Sequence, residues 1–534
     1  MGVSTKSHLR AEVVIVVPPN SNTVIDGRLL TVTKPSEHSD WSDFLCLGAL
    51  SLASALKAVP TVRPVYIDGT IINLSEVLRY ISDNHSRILA VCAGVLTANY
   101  EAGVMILDHA KAVDAGITTI VGSDHFTALP SECMRYGKSI DYGFFGNEII
   151  ASFTSLIADL AGGVLVRSER YAGLVSRSDG RVVFTPPAAT EPVFSHYEYG
   201  LIDVAFLHSA KYTEQFAHRI APRVKELLGR TVRAGVPVEL GRGCIKFAKN
   251  DACSFCSIQY GSLWKNQLTP EAAWATISSA WDHGYDYMYV TADELPLTFG
   301  ALLSAMTDSP PAWWQALAAD ERPVLVGYAR ADGIADGRRT EVMVDLGIRQ
   351  VMIGMDAGAA VSLAAMNKPL HGGRKDLMRQ AEVLYEQNSR AIQVARDNGM
   401  MIRAGFVVGH IGMTESLLEE NLERIFSLIS TGRDAFSAVD VEVLSPQPGS
   451  FDFTYLTDPD AAESAAARVG LTIADRATRD RVAANWADRD VIPPELAMRD
   501  FATALMPELD FDQLAQARSS IRQYAKASGI TIGE

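Results

Sequence analysis

Two successive series of short, largely β-branched apolar runs, each run separated from the next by a stretch of helical periodicity, organise this chain. In the first series, residues 12–17, 64–67, 88–93, 117–121 and 141–145 read as strands. Residues 45–58, 74–83 and 100–115 read as helices, the last closing at Gly116 as a left-handed C′ glycine. Runs that are apolar throughout belong to strands covered on both faces, as in a parallel sheet. Alternating βα units therefore predict a doubly wound, Rossmann-like α/β domain. Ligands in such sheets lie beyond the carboxyl ends of the strands, which places residues 18–20, Asp68, 94–100 and 123–130 at the mouth.

The second series has strands at 236–240, 287–291, 324–328, 350–353, 402–408 and 439–444, with helices between. Six repeats predict a partial (β/α)6 barrel of the TIM type, with its site on the loops after the strands. Between the two series, residues 162–192 carry Ser-Asp-Gly between Val-rich runs and then a Pro pair, the pattern of a hairpin and linker. From about 461 onward the pattern is helical. The expected division is 1–161, a hairpin and linker at 162–200, a barrel at 201–460 and a small helical region at 461–534.

A chain of 534 residues exceeds one compact core, so two or three domains are expected. A net charge of −15 argues against a surface built to neutralise phosphates, and neither nucleic acid nor membrane is an expected partner. A small-molecule or peptide substrate fits better. Residues 1–19 lack the basic and apolar segments of a secretory signal, and no window reaches the roughly 18 apolar residues of a membrane helix. A soluble, cytoplasmic protein is expected.

Of six cysteines, Cys46, Cys92 and Cys133 are scattered, whereas Cys244, Cys253 and Cys256 cluster as Cys-x8-Cys-x2-Cys just after the first strand of the second series. Three thiolates on a 4Fe-4S cube leave one iron open to another ligand. The same triplet with a histidine suits zinc. On the triplet alone both readings stand. Its place at the top of a barrel strand, with no close histidine following, favours the cluster.

The segment "GRGCIKFAKNDACSFCS" resembles the cluster loop of the radical S-adenosylmethionine (radical SAM) superfamily, in which an aromatic before the third cysteine, here Phe255, lies near the adenine. The usual spacing there is Cys-x3-Cys-x2-Cys. Five extra residues separate the first two cysteines here, and an outward bulge over 245–250 is expected. "VTADEL" resembles the acidic turn that meets the cofactor's amine, through Asp293 and Glu294. "YARADGI" resembles the third-strand motif, with Arg330 and Asp332 toward the cavity. "VMIGMDAGAAVSLAAMNKP" resembles the fourth-strand signature, with Asp356 where Glu is usual, and "AGFVVGHIGMTE" the glycine motif, in which Gly405, Gly409 and Gly412 permit close approach of adenosine.

The first series resembles the cobalamin-binding domain found ahead of many such enzymes, in "VVPPN", "LGALSLASALK", "VLTANYEAG", "VGSDHFTALPSE" and "DYGFFGNE". The resemblance implies corrin contacts from Pro19, Asn20, Thr97, Asn99, Tyr100, Ser123 and His125. His125 is expected to be a wall of that site and not an axial ligand, and no Asp-x-His-x-x-Gly motif is present. The implied activity is reductive cleavage of S-adenosylmethionine at a 4Fe-4S cluster to a 5′-deoxyadenosyl radical. With cobalamin, this would methylate an unactivated carbon, and an external electron donor such as flavodoxin or ferredoxin would supply the electrons. Rearrangement, cyclisation or ring contraction is the alternative within the family, and a non-catalytic zinc- or corrin-binding sensor is the alternative outside it. Trp313, Trp314, Tyr260 and Trp264 are candidate pocket aromatics, although aromatics more often serve the core.

Overall fold

The computed structural model describes residues 11–20, 24–25, 28–29, 44–146, 149–178, 180–188, 193–249, 251–258, 264–370 and 376–533. It forms two compact units: Met1–Glu37 with Leu45–Thr213, and His38–Phe44 with Glu214–Glu534.

In the first unit the runs expected as strands form Ala11–Val17, Val62–Asp68, Ile88–Gly94, Thr118–Gly122 and Tyr142–Phe144. All pair in parallel, in the order second, first, third, fourth, fifth. Val13, Val14 and Val16 are fully buried, as a strand covered on both faces requires. Leu174–Ser178 and Arg181–Phe184 form the expected hairpin and extend the sheet in antiparallel fashion, with Gly180 at φ 76° in the turn. The helix Leu74–Asn84 is fixed locally by a capping box, in which Asn73 and Glu76 satisfy each other's backbone N–H groups, while Leu74, Val77 and Ile81 face the core. One expected boundary changes. The helix Tyr100–Val113 stops at an extended Asp114, whose carboxylate takes the Gly116 N–H at 2.8 Å, so a side chain makes the turn and Gly116 is not a left-handed cap.

In the second unit six strands pair in parallel and in sequence order: Gly235–Val238, Tyr287–Val290, Val324–Ala329, Ile348–Asp356, Met401–Val408 and Phe436–Val443. Among the described residues no pairing joins the first to the sixth, so the barrel is partial. The concave side is identified by bonds that skip a strand: Tyr287 to Gln350, 3.4 Å, and Gln350 to Ser437, 3.0 Å. Arg403 and Asp440 form a buried two-pronged ion pair between the last two strands. Phe216, Ile220 and Val224 pack with Tyr287 and Val324 near the amino ends of the strands, closing that end with apolar side chains. The open end is therefore the carboxyl one. The helix Phe511–Ala527, begun by a capping box of Asp510 and Gln513, follows the barrel. After it the chain returns to the sheet: Val439 N–H bonds Thr531 O, and Gly533 N–H bonds Val439 O. Among the described residues no helix is long and apolar enough to cross a membrane.

Candidate active site

After the first barrel strand the chain forms a two-stranded ribbon, Gly241–Gly243 against Lys265–Gln267, which leads directly into Cys244. Gly243 sits at φ 139°, and a Cβ there would lie 2.6 Å from Trp264 O, so only glycine makes this entry. The five extra residues do not bulge outward. Ile245–Lys249 winds into a short 3-10 turn, with Phe247 N–H on Cys244 O, and Lys246 is drawn into the protein. The Lys246 ammonium donates to Asp251 at 3.0 Å and to Pro369 O at 2.7 Å, with its side chain 1% exposed. Asn250 lies outside the described residues.

Residues 366–369 form the support on which the cysteine loop lies. Ser254 N–H bonds Met366 O, and the Asn367 amide bonds Ala252 O at 2.8 Å and Asp251 at 2.7 Å. Asn367 holds φ 51°, a conformation Asn tolerates better than most residues. From the other side Asp452, at the start of a helix in the last quarter of the chain, accepts the Ser254 hydroxyl at 3.0 Å and donates its own N–H to Ser254 O. Burial pushes the Asp452 carboxyl up to about 7, against the pull of that hydroxyl.

Burial raises the Cys244 thiol to about 11 and Cys256 to about 12, and in both cases Cys253 adds to the rise, so the three sulfurs lie within one another's fields. Iron must displace those protons, because thiolates are the ligands. Among the described residues no three His, Cys, Asp or Glu are grouped to hold a single metal ion. Cations surround the loop. Burial opposes the charge of Arg330, but Asp332, gripped by two bonds of 3.0 Å, outweighs it and holds the guanidinium protonated. Arg330 also donates to Lys368 O, and Lys368 pairs with Asp356.

The remaining expected contacts divide into two groups. Asp293 takes the Gly243 N–H at 2.8 Å beside Cys244. Phe255 is half-buried, with the Lys368 ammonium 5.7 Å from its ring centre. Asp356 ends the fourth strand at φ 58°, with its carboxylate on Lys368. A Cβ on Gly405 would sit in ordinary contact with Met352 and Ile353 at 3.6 and 3.7 Å, so this position is not crowded. Glu294, by contrast, accepts from the Leu297 and Thr298 N–H groups and from the Thr298 hydroxyl, and that hydroxyl takes the Ile245 N–H: it holds the turn behind Cys244. Gly409 and Gly412 have φ of 102° and 73°, and a Cβ on them would meet Met506 and Leu471, so the last helical region approaches them. Lys246, the support at 366–369 and Asp452 were not found from sequence. Trp313 and Trp314 pack with Trp274 and Trp281, and Trp314 lies against Gly347 ahead of the fourth strand: Trp314 is buried core at the closed end and Trp313 lies half-buried beside it. Trp264 borders Gly243, and Tyr260 lies outside the described residues.

In the first unit the strand order reverses between the first and third strands, the switch point where ligands of such sheets bind. The loops there are tied together. Asn99 accepts the Leu96 N–H at 2.6 Å and donates to Pro18 O at 3.1 Å, next to Pro19 and Asn20. Thr97 bonds His125 Nδ1 at 3.1 Å, and the His125 ring lies 4.6 Å from that of Tyr100, whose hydroxyl donates to Cys133 O. His125 is 2% exposed, its Nε2 has no hydrogen-bond partner, and burial lowers it to about 4, so it is a neutral imidazole. Asn99, Tyr100 and His125 thus frame the mouth, while Ser123, at φ 79°, is exposed at its surface.

No family model matches the chain. An anaerobic magnesium-protoporphyrin IX monomethyl ester cyclase of Rubrivivax gelatinosus is 24% identical over 379 residues, 69% of this chain and 60% of the relative, so the chain spans less than two thirds of that protein's length. Two structures of the radical SAM methyltransferase TsrM from Kitasatospora setae are similar in fold at 14% identity. One, with cobalamin and a 4Fe-4S cluster, has a TM-score of 0.57 over 84% of this chain and 78% of its own. The other, with tryptophan and a SAM analogue, has a TM-score of 0.58 over 84% and 76%. The chain has the fold of the cobalamin-binding radical S-adenosylmethionine enzymes and resembles that family in sequence.

Proposed function

We propose that the protein is a cobalamin-dependent radical SAM enzyme that methylates an unactivated carbon of a small metabolite or peptide. The observation that carries the reading is the cysteine loop: the buried Cys253 and the half-buried Cys244 and Cys256 at the open end of a partial barrel, held on residues 366–369 and ringed by Lys246, Arg330 and Lys368. Cys244, Cys253 and Cys256 would hold the cluster. Phe255, Asp293, Asp356 and Gly405 would meet S-adenosylmethionine, and the loops at Pro19, Asn20, Thr97 and Ser123 would meet the corrin. When bound, the cluster supplies the electron that cleaves S-adenosylmethionine, and cobalamin supplies a methyl carrier. The chain's own contribution is to seat these groups: Glu294 and Thr298 fix the turn behind Cys244, and the closed end excludes water from below.

Cyclisation is a second reading within the same chemistry, favoured by the sequence likeness to a cyclase. After anaerobic reconstitution with iron, sulfide, cobalamin and reductant, the expected products are 5′-deoxyadenosine and, for methyl transfer, S-adenosylhomocysteine. 5′-Deoxyadenosine without S-adenosylhomocysteine supports cyclisation or rearrangement instead. A chain that takes up one zinc and no iron, or a Cys253→Ala variant as active as wild type, overturns the enzyme reading.

A further inference from the structure

The support at 366–369 does more than hold the loop. Lys368 follows Asn367, whose amide grips Ala252 O, and Met366, whose carbonyl takes the Ser254 N–H, so its backbone runs beside Cys253 through two fixed points. Its side chain, 12% exposed, carries the ammonium into an ion pair with Asp356 and to within 5.7 Å of the centre of the Phe255 ring, the residue between Ser254 and Cys256. The pair has its own niche. A Cβ on Gly354 would come within 3.0 Å of the ammonium and 2.9 Å of the Asp356 carboxylate, so a glycine clears the space. The other two cations of the loop are turned to backbone as well as carboxylate, Lys246 to Pro369 O and Arg330 to Lys368 O.

We infer that Lys368 is the positioning cation of the cluster: it lies over the ring of Phe255, between two residues of the cysteine loop, and favours the reduced cluster by placing a fixed positive charge beside that loop. The inference rests on the cluster reading above. Its physical basis is that one-electron reduction adds a negative charge to the cluster, so a nearby buried cation stabilises the reduced form more than the oxidised one and raises the midpoint potential. The ion pair with Asp356 holds the ammonium in this buried place.

The test is an anaerobic redox titration of the reconstituted full-length chain, with dithionite as electron source and the reduced cluster followed by electron paramagnetic resonance. Lys368→Met should lower the equilibrium constant for reduction about tenfold, a drop of about 59 mV for a one-electron couple. Lys368→Arg keeps the charge and should stay near wild type, which also covers the case in which the Met variant fails to fold. A Met variant with the wild-type potential, or an Arg variant shifted as far as the Met one, overturns the inference and leaves the cluster reading standing. Wild-type protein that takes up no iron and sulfide overturns the reading beneath it instead.

Discussion

Asp452 offers a quantitative check on how the last quarter of the chain holds the cysteine loop. It is 1% exposed, and burial raises its carboxyl from 3.8 to about 7 although the Ser254 hydroxyl pulls the other way. A carboxyl that binds its proton more tightly in the folded state contributes stability that is complete below its unfolded value. That contribution is lost as pH rises from about 4 to about 7 and is constant above. A rise of about three units at 1.36 kcal/mol each makes the loss about 4 kcal/mol. Asp452→Asn removes the titration but keeps an acceptor for Ser254, leaving a buried amide N–H unpaired at about 1–3 kcal/mol. The variant should therefore be less stable than wild type at pH 4 and more stable at pH 8, the difference moving by about 4 kcal/mol between them. The tryptophans among the described residues, Trp264, Trp274, Trp281, Trp313, Trp314 and Trp486, all belong to the second unit, so urea unfolding followed by tryptophan fluorescence reports on the unit that contains Asp452. The buried His410, lowered to about 4, adds an opposite slope over part of this range in both proteins and cancels in the difference. A difference between variant and wild type that stays flat from pH 4 to 8 refutes the argument.

Other substitutions probe separate joints. Thr298→Val deletes the hydroxyl that links Ile245 N–H to Glu294 and should loosen the turn behind Cys244 by about 1–3 kcal/mol, read as faster loss of iron to a chelator; an unchanged rate counts against that role. Gly412→Ala forces a Cβ to φ 73° and to within 2.6 Å of Leu471, so thermal unfolding of the second unit should reveal a loss of at least about 1–3 kcal/mol from the backbone conformation alone, and wild-type stability would contradict the packing described. Asn99→Ala strands Leu96 N–H and Pro18 O at the switch point of the first unit, at about 2 kcal/mol, and amide exchange at Leu96 should accelerate if the two loops are tied as described.

Much of the architecture is local and was legible. Runs such as Val13 to Val16 cannot be solvated and have no polar face, so they demand cover on both sides, and eleven strands at the expected places in two parallel series follow from that. Asn73 with Glu76, three residues apart, specifies a helix start without reference to the rest of the chain. The end of the helix at Val113 was misread because Asp114 makes the turn with its side chain, leaving Gly116 without the left-handed role.

The chemical types at the site were also fixed by sequence: three cysteines after a barrel strand, an acidic turn, a glycine-bearing fifth strand. What each of those residues does was decided by tertiary contacts. Glu294 and Asp293 are neighbours of the same charge, yet one bonds the turn at Thr298 and the other the backbone of Gly243, 50 residues away. Gly405 and Gly409 belong to one motif, yet a Cβ on the first would meet its neighbours at ordinary contact distance while the second, at φ 102°, receives Met506 at 3.0 Å. Lys246 reaches Pro369, and Asn367 and Asp452 meet the cysteine loop, across separations of 115 to 198 residues. Periodicity and capping act over three or four residues, so they determine the strands and helices. A hydrogen bond between distant residues exists only once those elements have packed, and at this site such bonds decide which groups hold the loop and which remain open to a ligand.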